Sequence, residues 1–300
     1  LSTVSANYAV SFNQNNMVTF QGISFVNENE NYGRIIEFGN FSYDNISFVD
    51  CKLFGANVSG EDNERSLVYF NSDAICCQIN FLSCLFQNGT NSVTAPMFAP
   101  QNQDLQLLGC AFENFDNIAI DVANFDRVLI NHCTFVGKDR ANYQTVVKLS
   151  GVSSEAFVIA NSIRLTSENN NIAIQVSNCE ILANALIINN MISIASFETN
   201  LAITANEANV KVFFNNVLIT GGNFNSRVVK VIKAAQTNNA PSILEAPSIF
   251  LEEGSQIVVG AEVKGKSGGG STKSGKIYIL SKMPKKNILT NLLLSLNLRV

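Results

Sequence analysis

The chain has 300 residues, of which 46% are hydrophobic and 15% are charged, and it contains no Trp. This composition excludes a generally disordered protein, and no apolar run approaches the ~18–20 residues that a membrane-spanning helix needs. Residues 1–263 carry 12 basic and 24 acidic side chains, whereas residues 264–300 carry 8 basic and no acidic ones. Because nucleic-acid binding needs a basic face, the acidic body predicts no nucleic-acid partner.

A short segment recurs along the chain, in which a small or aliphatic residue and a large apolar residue are separated by one position. It reads "GISFVN" at 22–27, "VDCKLFG" at 49–55, "LSCLFQN" at 82–88, "LGCAFEN" at 108–114 and "NHCTFVG" at 131–137. The anchors are spaced by 23 to 33 residues, and they are Ile23, Cys51, Cys84, Cys110, Cys133, Ile163, Ile192 and Val217.

A second series of short apolar segments alternates strictly with the first. It includes "IIEF" at 35–38, "LVYF" at 67–70, "APMF" at 95–98, "IAIDV" at 118–122, "VVKL" at 146–149 and "IAIQV" at 172–176. The segments are β-branched or aromatic and alternate in polarity, which predicts strands, and the Gly, Asn, Asp and Ser between them predict turns. A period of 20–50 residues indicates a solenoid or a propeller.

The repeat predicts an all-β fold, a right-handed parallel β-helix solenoid of about nine coils with three strands each. Equivalent strands then stack in parallel, ~4.8 Å apart, so that equivalent residues form columns. We expect Cys51, Cys84, Cys110 and Cys133 to share one inward column with the later anchors. A β-propeller is the alternative, and it predicts four strands per period.

A tight bend between the second and third strands of each coil contains asparagine. The register predicted from the anchors aligns Asn131, Asn161, Asn190 and Asn215 at this bend. Asparagine tolerates left-handed backbone angles, and its amide can bond to the asparagine of the next coil. The sequence therefore predicts an internal asparagine ladder.

This arrangement resembles the right-handed parallel β-helix of the pectate-lyase-like superfamily, over residues 20–260. The resemblance implies the fold but not the function, because that superfamily includes lyases, hydrolases, tailspikes, adhesins and virion proteins. We expect residues 1–263 to form the β-helix, the "KGKSGGGSTKSGK" segment at 264–276 to be a linker, and residues 277–300 to cap the solenoid or dock on a partner.

Enzymes of this superfamily usually work on the outer face of the first strand. The predicted outward stripe there is Glu37, Tyr69, Met97, Asp121, Lys148, Gln175, Thr204 and Lys230. A catalytic cluster of Asp121, Lys148 and Arg140 would suit a polysaccharide lyase, which needs a base beside acidic groups. The alternative is an exposed ion pair between neighbouring coils.

Neither metal ligands nor cofactor motifs stand out. The seven cysteines show no metal-binding spacing and there is one histidine, so we expect no metal and no cofactor. The motifs of polygalacturonases and pectate lyases have no match here. Four sequons mark possible N-glycosylation sites at Asn40, Asn45, Asn57 and Asn88.

These observations favour a non-catalytic structural or binding protein over an enzyme. We expect a spike, fibre, adhesin or capsid-associated module, placed outside the cell, on its surface or on a virion. Its expected partners are other protein subunits or further copies of itself, and glycans through the long loops. A bare scaffold inside an assembly is a third hypothesis. No charged and apolar leader precedes the first predicted strand, so we expect any signal peptide to be absent or already removed.

Overall fold

The computed structural model is a parallel β-solenoid of about seven turns, built without helices in the described part of the chain. It describes residues 2–3, 10–12, 17–27, 34–39, 42–56, 66–71, 74–95, 102–139, 141–179, 184–206, 208, 210–223, 226–231, 243–244, 248–250, 257–266 and 272–281. The predicted fold class is thus confirmed. The turns are slightly fewer than the nine predicted, because the rungs at both ends contain only very short described strands.

Most of the described strands are short, as expected for segments that each cross one face of a solenoid, and the exception is the 16-residue strand Ser162–Ser177, which crosses two faces. In chain order they are β1 (Ser2–Thr3), β2 (Val10–Phe12), β3 (Val18–Gln21), β4 (Ser24–Asn27), β5 (Ile36–Phe38), β6 (Ser42–Val49), β7 (Lys52–Phe54), β8 (Ser66–Phe70), β9 (Ile75–Leu82), β10 (Leu85–Gln87), β11 (Asn91–Ala95), β12 (Asn102–Leu108), β13 (Ala111–Phe115), β14 (Ile118–Ala123), β15 (Phe125–Asn131), β16 (Thr134–Gly137), β17 (Ala141–Ser150), β18 (Glu155–Ile159), β19 (Ser162–Ser177), β20 (Asn184–Ile188), β21 (Met191–Ser196), β22 (Asn200–Asn206), β23 (Val210–Phe213), β24 (Asn216–Gly221), β25 (Arg227–Val231), β26 (Ile243–Leu244), β27 (Ser248–Phe250), β28 (Ile257–Lys266) and β29 (Thr272–Ser281).

Three parallel sheets form the faces of the solenoid. Sheet 1 contains β2, β5, β8, β11, β14, β17, the second half of β19, β22 and β25. Sheet 2 contains β3, β6, β9, β12, β15, β18, β20, β23 and β26. Sheet 3 contains β1, β4, β7, β10, β13, β16, the first half of β19, β21, β24 and β27. One rung is therefore a strand of each sheet in turn.

Large apolar side chains fill the interior, in columns that run along the solenoid. The column of sheet 3 is fully packed with buried residues, and aromatic rings stack within it. The Phe86 and Phe112 ring centroids are 4.5 Å apart, and those of Phe112 and Phe135 are 4.7 Å apart. The column continues through Ile163, Ile192 and Val217.

That continuation corrects the predicted register by two residues. We expected Ile163 to lie below Cys133, but it pairs with Phe135, and the residue that follows Cys133 in its column is Asn161. A shift of two residues keeps the same side chains facing inward, so the hydrophobic pattern does not distinguish the two registers. A second correction concerns "APMF": the strand is Asn91–Ala95, and residues 96–100 lie outside the described part.

The bend between sheets 2 and 3 has the same backbone conformation in the eight rungs where it is described. Its first residue has a positive φ each time, between 50° and 64°, and these residues are Gly22, Asp50, Ser83, Gly109, His132, Ala160, Asn189 and Phe214. The left-handed position therefore precedes the column residue and is not occupied by Asn131, Asn161, Asn190 or Asn215. Because the conformation repeats, each rung enters sheet 3 in the same register.

The chain ends its described part in an antiparallel hairpin. β28 pairs with β29 from Ile257↔Ser281 to Lys266↔Thr272. The hairpin spans both predicted domain boundaries, at 263/264 and at 276/277. β28 lies against β25, the last strand of sheet 1. Residues 282–300 lie outside the described part.

Candidate functional site

The outer face of sheet 1 presents a row of polar side chains, one from each rung. The strand register places Glu37, Tyr69, Thr94, Asp121, Lys148, Gln175, Thr204 and Lys230 in line. The row matches the predicted stripe at every position but one, where Thr94 stands in place of Met97. Met97 lies outside the described residues. We call this row the sheet-1 stripe.

Asp121 and Lys148 lie side by side at the centre of the stripe. Lys148 Nζ donates to Asp121 Oδ2 at 2.9 Å, and the two side chains are 37% and 15% exposed, respectively. Their strands are hydrogen-bonded neighbours, so the pair links one rung to the next. Arg140, the third residue of the predicted catalytic cluster, lies outside the described part of the chain.

Acidic side chains outside the stripe also bond across rungs. Asp104 forms a bidentate pair with Arg127, and Asp116 lies 3.7 Å from Lys138. Asp126 accepts hydrogen bonds from two serine hydroxyls of the next rung, and these bonds lower the pKa of its carboxyl. Each of these carboxylates is thus used to join two rungs.

A column of buried hydrogen-bonding side chains runs along the corner between sheets 2 and 3. It begins with four cysteines and continues with three asparagines, in the order Cys51, Cys84, Cys110, Cys133, Asn161, Asn190 and Asn215. Every member donates to a carbonyl oxygen of the preceding rung, and these acceptors are in register at Phe20, Phe48, Phe81, Leu107, Ile130, Val158 and Ile187. Thiol and amide therefore serve the same backbone position.

The asparagines add a second set of bonds that the thiols lack. Asn190 Oδ1 accepts from both the backbone N–H and the side-chain amide of Asn161, at 3.0 and 2.9 Å. Asn215 Oδ1 accepts in the same way from Asn190, at 2.9 Å each. At the junction Asn161 Oδ1 accepts from the Cys133 N–H at 2.8 Å.

Asn131 does not belong to this column, contrary to prediction. It lies at the end of β15, where it pairs with Leu108 and Ile159 on the outer side of sheet 2. Its buried Oδ1 has no hydrogen-bond partner. The anchors misled the alignment because "NHC" and "NSI" both place an asparagine two residues before the next inward side chain, while the bend starts at different points in the two segments.

All four thiols of the column are free and buried. Hydrogen bonds between neighbouring thiols raise the pKa of Cys110 and lower the pKa values of Cys84 and Cys133. No cluster of three or more His, Cys, Asp or Glu suited to a metal ion occurs among the described residues. Because every one of these thiols is buried and bonded to a backbone carbonyl, we interpret the cysteine column as part of the framework.

Cys179 gives a pH-dependent prediction, because burial raises the pKa of its thiol from 9.0 to about 11. The unfolded chain loses this proton first, so the folded state loses stability as the pH rises between these two values. We expect Cys179→Ala to remove roughly 2 kcal/mol of the decline in unfolding free energy between pH 9 and pH 11. Urea unfolding at several pH values measures this decline.

Val176→Ala is the matched control for Cys179→Ala, since it removes a buried side chain three residues earlier without removing a titrating group. The unfolding free energy of Val176→Ala should decline between pH 9 and pH 11 by the same amount as that of the wild type. An unchanged decline in Cys179→Ala would show that this thiol does not titrate differently on unfolding.

A second polar column at the corner between sheets 3 and 1 was missed by the sequence analysis. Its buried amides come from successive rungs, and each has one atom without a hydrogen-bond partner: Asn91 Nδ2, Asn117 Oδ1, Gln144 Oε1, Asn171 Oδ1 and Asn200 Nδ2. A signal was present, since an amide residue stands directly before the apolar segments at 118, 145, 172 and 201. A buried amide atom without a hydrogen bond lowers the stability of the fold. We therefore expect ordered water molecules to bond to these atoms at this corner.

Two of the four sequons fall on described residues, and both asparagines bond across rungs. Asn45 Nδ2 donates to Gln78 Oε1 at 3.2 Å, and Asn88 Oδ1 accepts from Asn114 Nδ2 at 2.7 Å. A glycan on Asn45 would replace one of the two hydrogens of the Nδ2 that makes the first of these bonds. Asn40 and Asn57 lie outside the described residues.

Comparison with known proteins adds no relative to this picture. The chain matches no protein-family model, no curated protein and no solved structure. In the described residues there is also no helix with the length and apolar character to cross a bilayer.

Proposed function

We propose that this chain is a non-catalytic structural and binding module, a β-helix of the pectate-lyase-like superfamily that serves as a spike, fibre, adhesin or capsid-associated element outside the cell or on a virion. The observation that carries the proposal is the use of the stripe's central carboxylate. Asp121, where a catalytic acid or base would lie, is bonded to Lys148 of the next rung.

The spacing of carboxylates along the stripe supports this role. Glycoside hydrolysis needs two carboxyl groups ~5–9.5 Å apart across the scissile bond. The other carboxylate in the stripe, Glu37, is three rungs from Asp121 and forms an ion pair with Arg34. At ~4.8 Å per rung that separation is about 14 Å, too long for a catalytic pair.

A polysaccharide lyase is the second candidate, and one contact favours it. A lyase needs a base near an acidic group that stabilises the charge on the sugar, and Lys148 and Asp121 are in direct contact. The same contact commits the Lys148 ammonium group to the carboxylate of Asp121, whereas a lyase base must be free to take a proton from the sugar. Arg140 would have to supply the missing base in this alternative.

The test is turnover on a panel of acidic and neutral polysaccharides, with the wild type and Asp121→Asn compared. We expect no turnover by either protein, and a loss of at most ~1 kcal/mol in unfolding free energy for the variant, because the ion pair is partly exposed. Gln175→Ala, at a half-buried position of the same stripe beside Lys148, is the control for a change that leaves the ion pair in place.

Two outcomes would contradict the proposed role. Turnover by the wild type that is lost in Asp121→Asn, with the circular dichroism spectrum unchanged, would establish the lyase. Turnover that survives in the variant would place an active site elsewhere. Binding to a glycan without turnover would support the module as an adhesin.

A further inference from the structure

An exposed phenylalanine occupies the bend between sheets 2 and 3 in the rung formed by β23, β24 and β25. Phe214 holds a φ of 53°, and its ring is 68% exposed. In the other seven rungs where this bend is described, the equivalent residue is small or polar: Gly22, Asp50, Ser83, Gly109, His132, Ala160 and Asn189. A bulky side chain in the left-handed region is strained, and an exposed ring gains nothing from burial. The unfavourable choice at this one bend therefore points to a local function of the ring.

Phe214 belongs to a group of apolar side chains at this corner of the solenoid. Its ring centroid is 6.3 Å from that of Phe213. Phe213 pairs with Ile188, which pairs with Ile159, and these three side chains are half-buried. Met191, which is 63% exposed, begins the strand that pairs with β24 directly after the bend. We call these five residues the apolar corner, and exposed apolar side chains grouped in this way mark an interaction site.

We propose that the apolar corner binds the C-terminal segment of this same chain, residues 294–300. The segment reads "LSLNLRV", so that its apolar residues alternate with polar ones: Leu294, Leu296, Leu298 and Val300 with Ser295, Asn297 and Arg299. Strict alternation over seven residues is typical of a strand with one apolar face. Docking would bury that face and the exposed rings of the corner together.

The preceding hairpin brings the segment to the level of the corner. β28 lies against β25, the last strand of the rung that carries Phe214. β28 pairs along its length with β29, which ends at Ser281. Residues 282–293, which link Ser281 to the segment, can span up to ~40 Å. The six residues of β24 cross sheet 3 in only ~20 Å, so this linker can carry the segment across a whole face of the solenoid.

A small apolar surface is sufficient for a segment of the same chain. A short linker holds the two parts at an effective concentration in the millimolar range, whereas a separate protein partner needs roughly 1,200 Å² of buried surface. The size of the corner therefore favours the tethered segment as its occupant. This docking goes beyond the proposed function, and neither requires the other.

Hydrogen–deuterium exchange of the full chain, followed by mass spectrometry, tests the docking. Phe214→Ser is the main variant, because Ser83 shows that serine fits the same bend. We expect the amides of residues 294–300 to exchange at least ~10-fold faster in Phe214→Ser than in the wild type. Phe197→Ser is the control, since it removes a ring that is 89% exposed between β21 and β22, and it should leave the exchange unchanged. Circular dichroism checks that each variant is folded.

A second pair of variants tests the segment itself. Leu296→Asp places a charge on the predicted apolar face and should also accelerate the exchange of residues 294–300 at least ~10-fold. Asn297→Asp places the same charge on the predicted polar face and should leave the exchange unchanged. Equal effects of the two substitutions would contradict docking through one apolar face.

Three outcomes would overturn the docking. In the first, the amides of residues 294–300 exchange in the wild type as fast as those of an unfolded peptide. In the second, their protection survives in Phe214→Ser, because the segment then packs on another surface, such as the end of the solenoid. In the third, their protection disappears on about 100-fold dilution, which assigns the segment on the corner to a second copy of the chain. None of these outcomes bears on glycan turnover, so a failure of the docking is distinguishable from a failure of the structural role.

Discussion

Replacing Asn190 with alanine is expected to lower the free energy of unfolding by about 3–5 kcal/mol, one of the two largest effects of a single substitution in this chain. Asn190 is fully buried at the centre of the asparagine column. Its amide donates to Val158 O and to Asn215 Oδ1, and its Oδ1 accepts two bonds from Asn161. Alanine leaves these partners unpaired and opens a cavity.

The comparison that isolates this effect uses Asn216→Ala, which removes an exposed amide from β24, the strand that pairs with β21 in sheet 3. Its cost should stay within ~0.5 kcal/mol. Asn190→Cys should fall between the two, because a thiol at this position can donate to Val158 O as Cys133 donates to Leu107 O. Urea unfolding followed by circular dichroism measures all three. Equal costs for Asn190→Ala and Asn216→Ala would refute the role of the column.

The second large effect is expected at Phe112, in the aromatic part of the sheet-3 column. Its ring is fully buried and stacks between Phe86 and Phe135 at 4.5 and 4.7 Å. Phe112→Ala should lower the free energy of unfolding by about 3–5 kcal/mol. The strand pairing of the sheets holds the rungs above and below in place, so they cannot close the cavity. Phe112→Leu should cost less than ~1.5 kcal/mol.

Phe197→Ala is the control, since the ring of Phe197 is 89% exposed. It should leave the unfolding midpoint in urea unchanged. A small loss in Phe112→Ala, similar to that of Phe112→Leu, would mean that neighbouring rungs repack around the missing ring, and the column would then be less rigid than its stacking indicates.

The sequence predicted the columns well where a rare residue marked them. Cys51, Cys84, Cys110 and Cys133 identify the same position in four rungs, and the structure aligns them. The predicted register was wrong after Cys133, the last cysteine of the column. From there on, asparagine makes the hydrogen bond that the thiol makes in the earlier rungs, and the aliphatic anchors, beginning with Ile163, lie in the column of Phe135 instead. The alternation of apolar and polar residues does not distinguish two strand registers that differ by two residues, whereas the backbone hydrogen bonds do.

The candidate site was likewise predicted in part from the sequence. Asp121 and Lys148 were correctly placed as neighbours because both lie in strongly alternating segments. Thr94 was missed because its strand, "NSVTA", carries more polar residues than the neighbouring "APMF". A strand that contains several Ser and Thr residues is easily mistaken for a turn when only the polarity of its residues is considered.

The repeated left-handed bend has a consequence for how such a molecule changes size. Since Thr134 and Ser162 are equivalent in register, excising residues 134–161 would join Cys133 to Ser162 and leave every remaining column continuous. The solenoid can thus shorten or lengthen only in whole increments, each adding ~4.8 Å of height for about 28 residues of chain. The length of the solenoid therefore changes in discrete steps. The smallest insertion or deletion that preserves the fold is the duplication or loss of one such step.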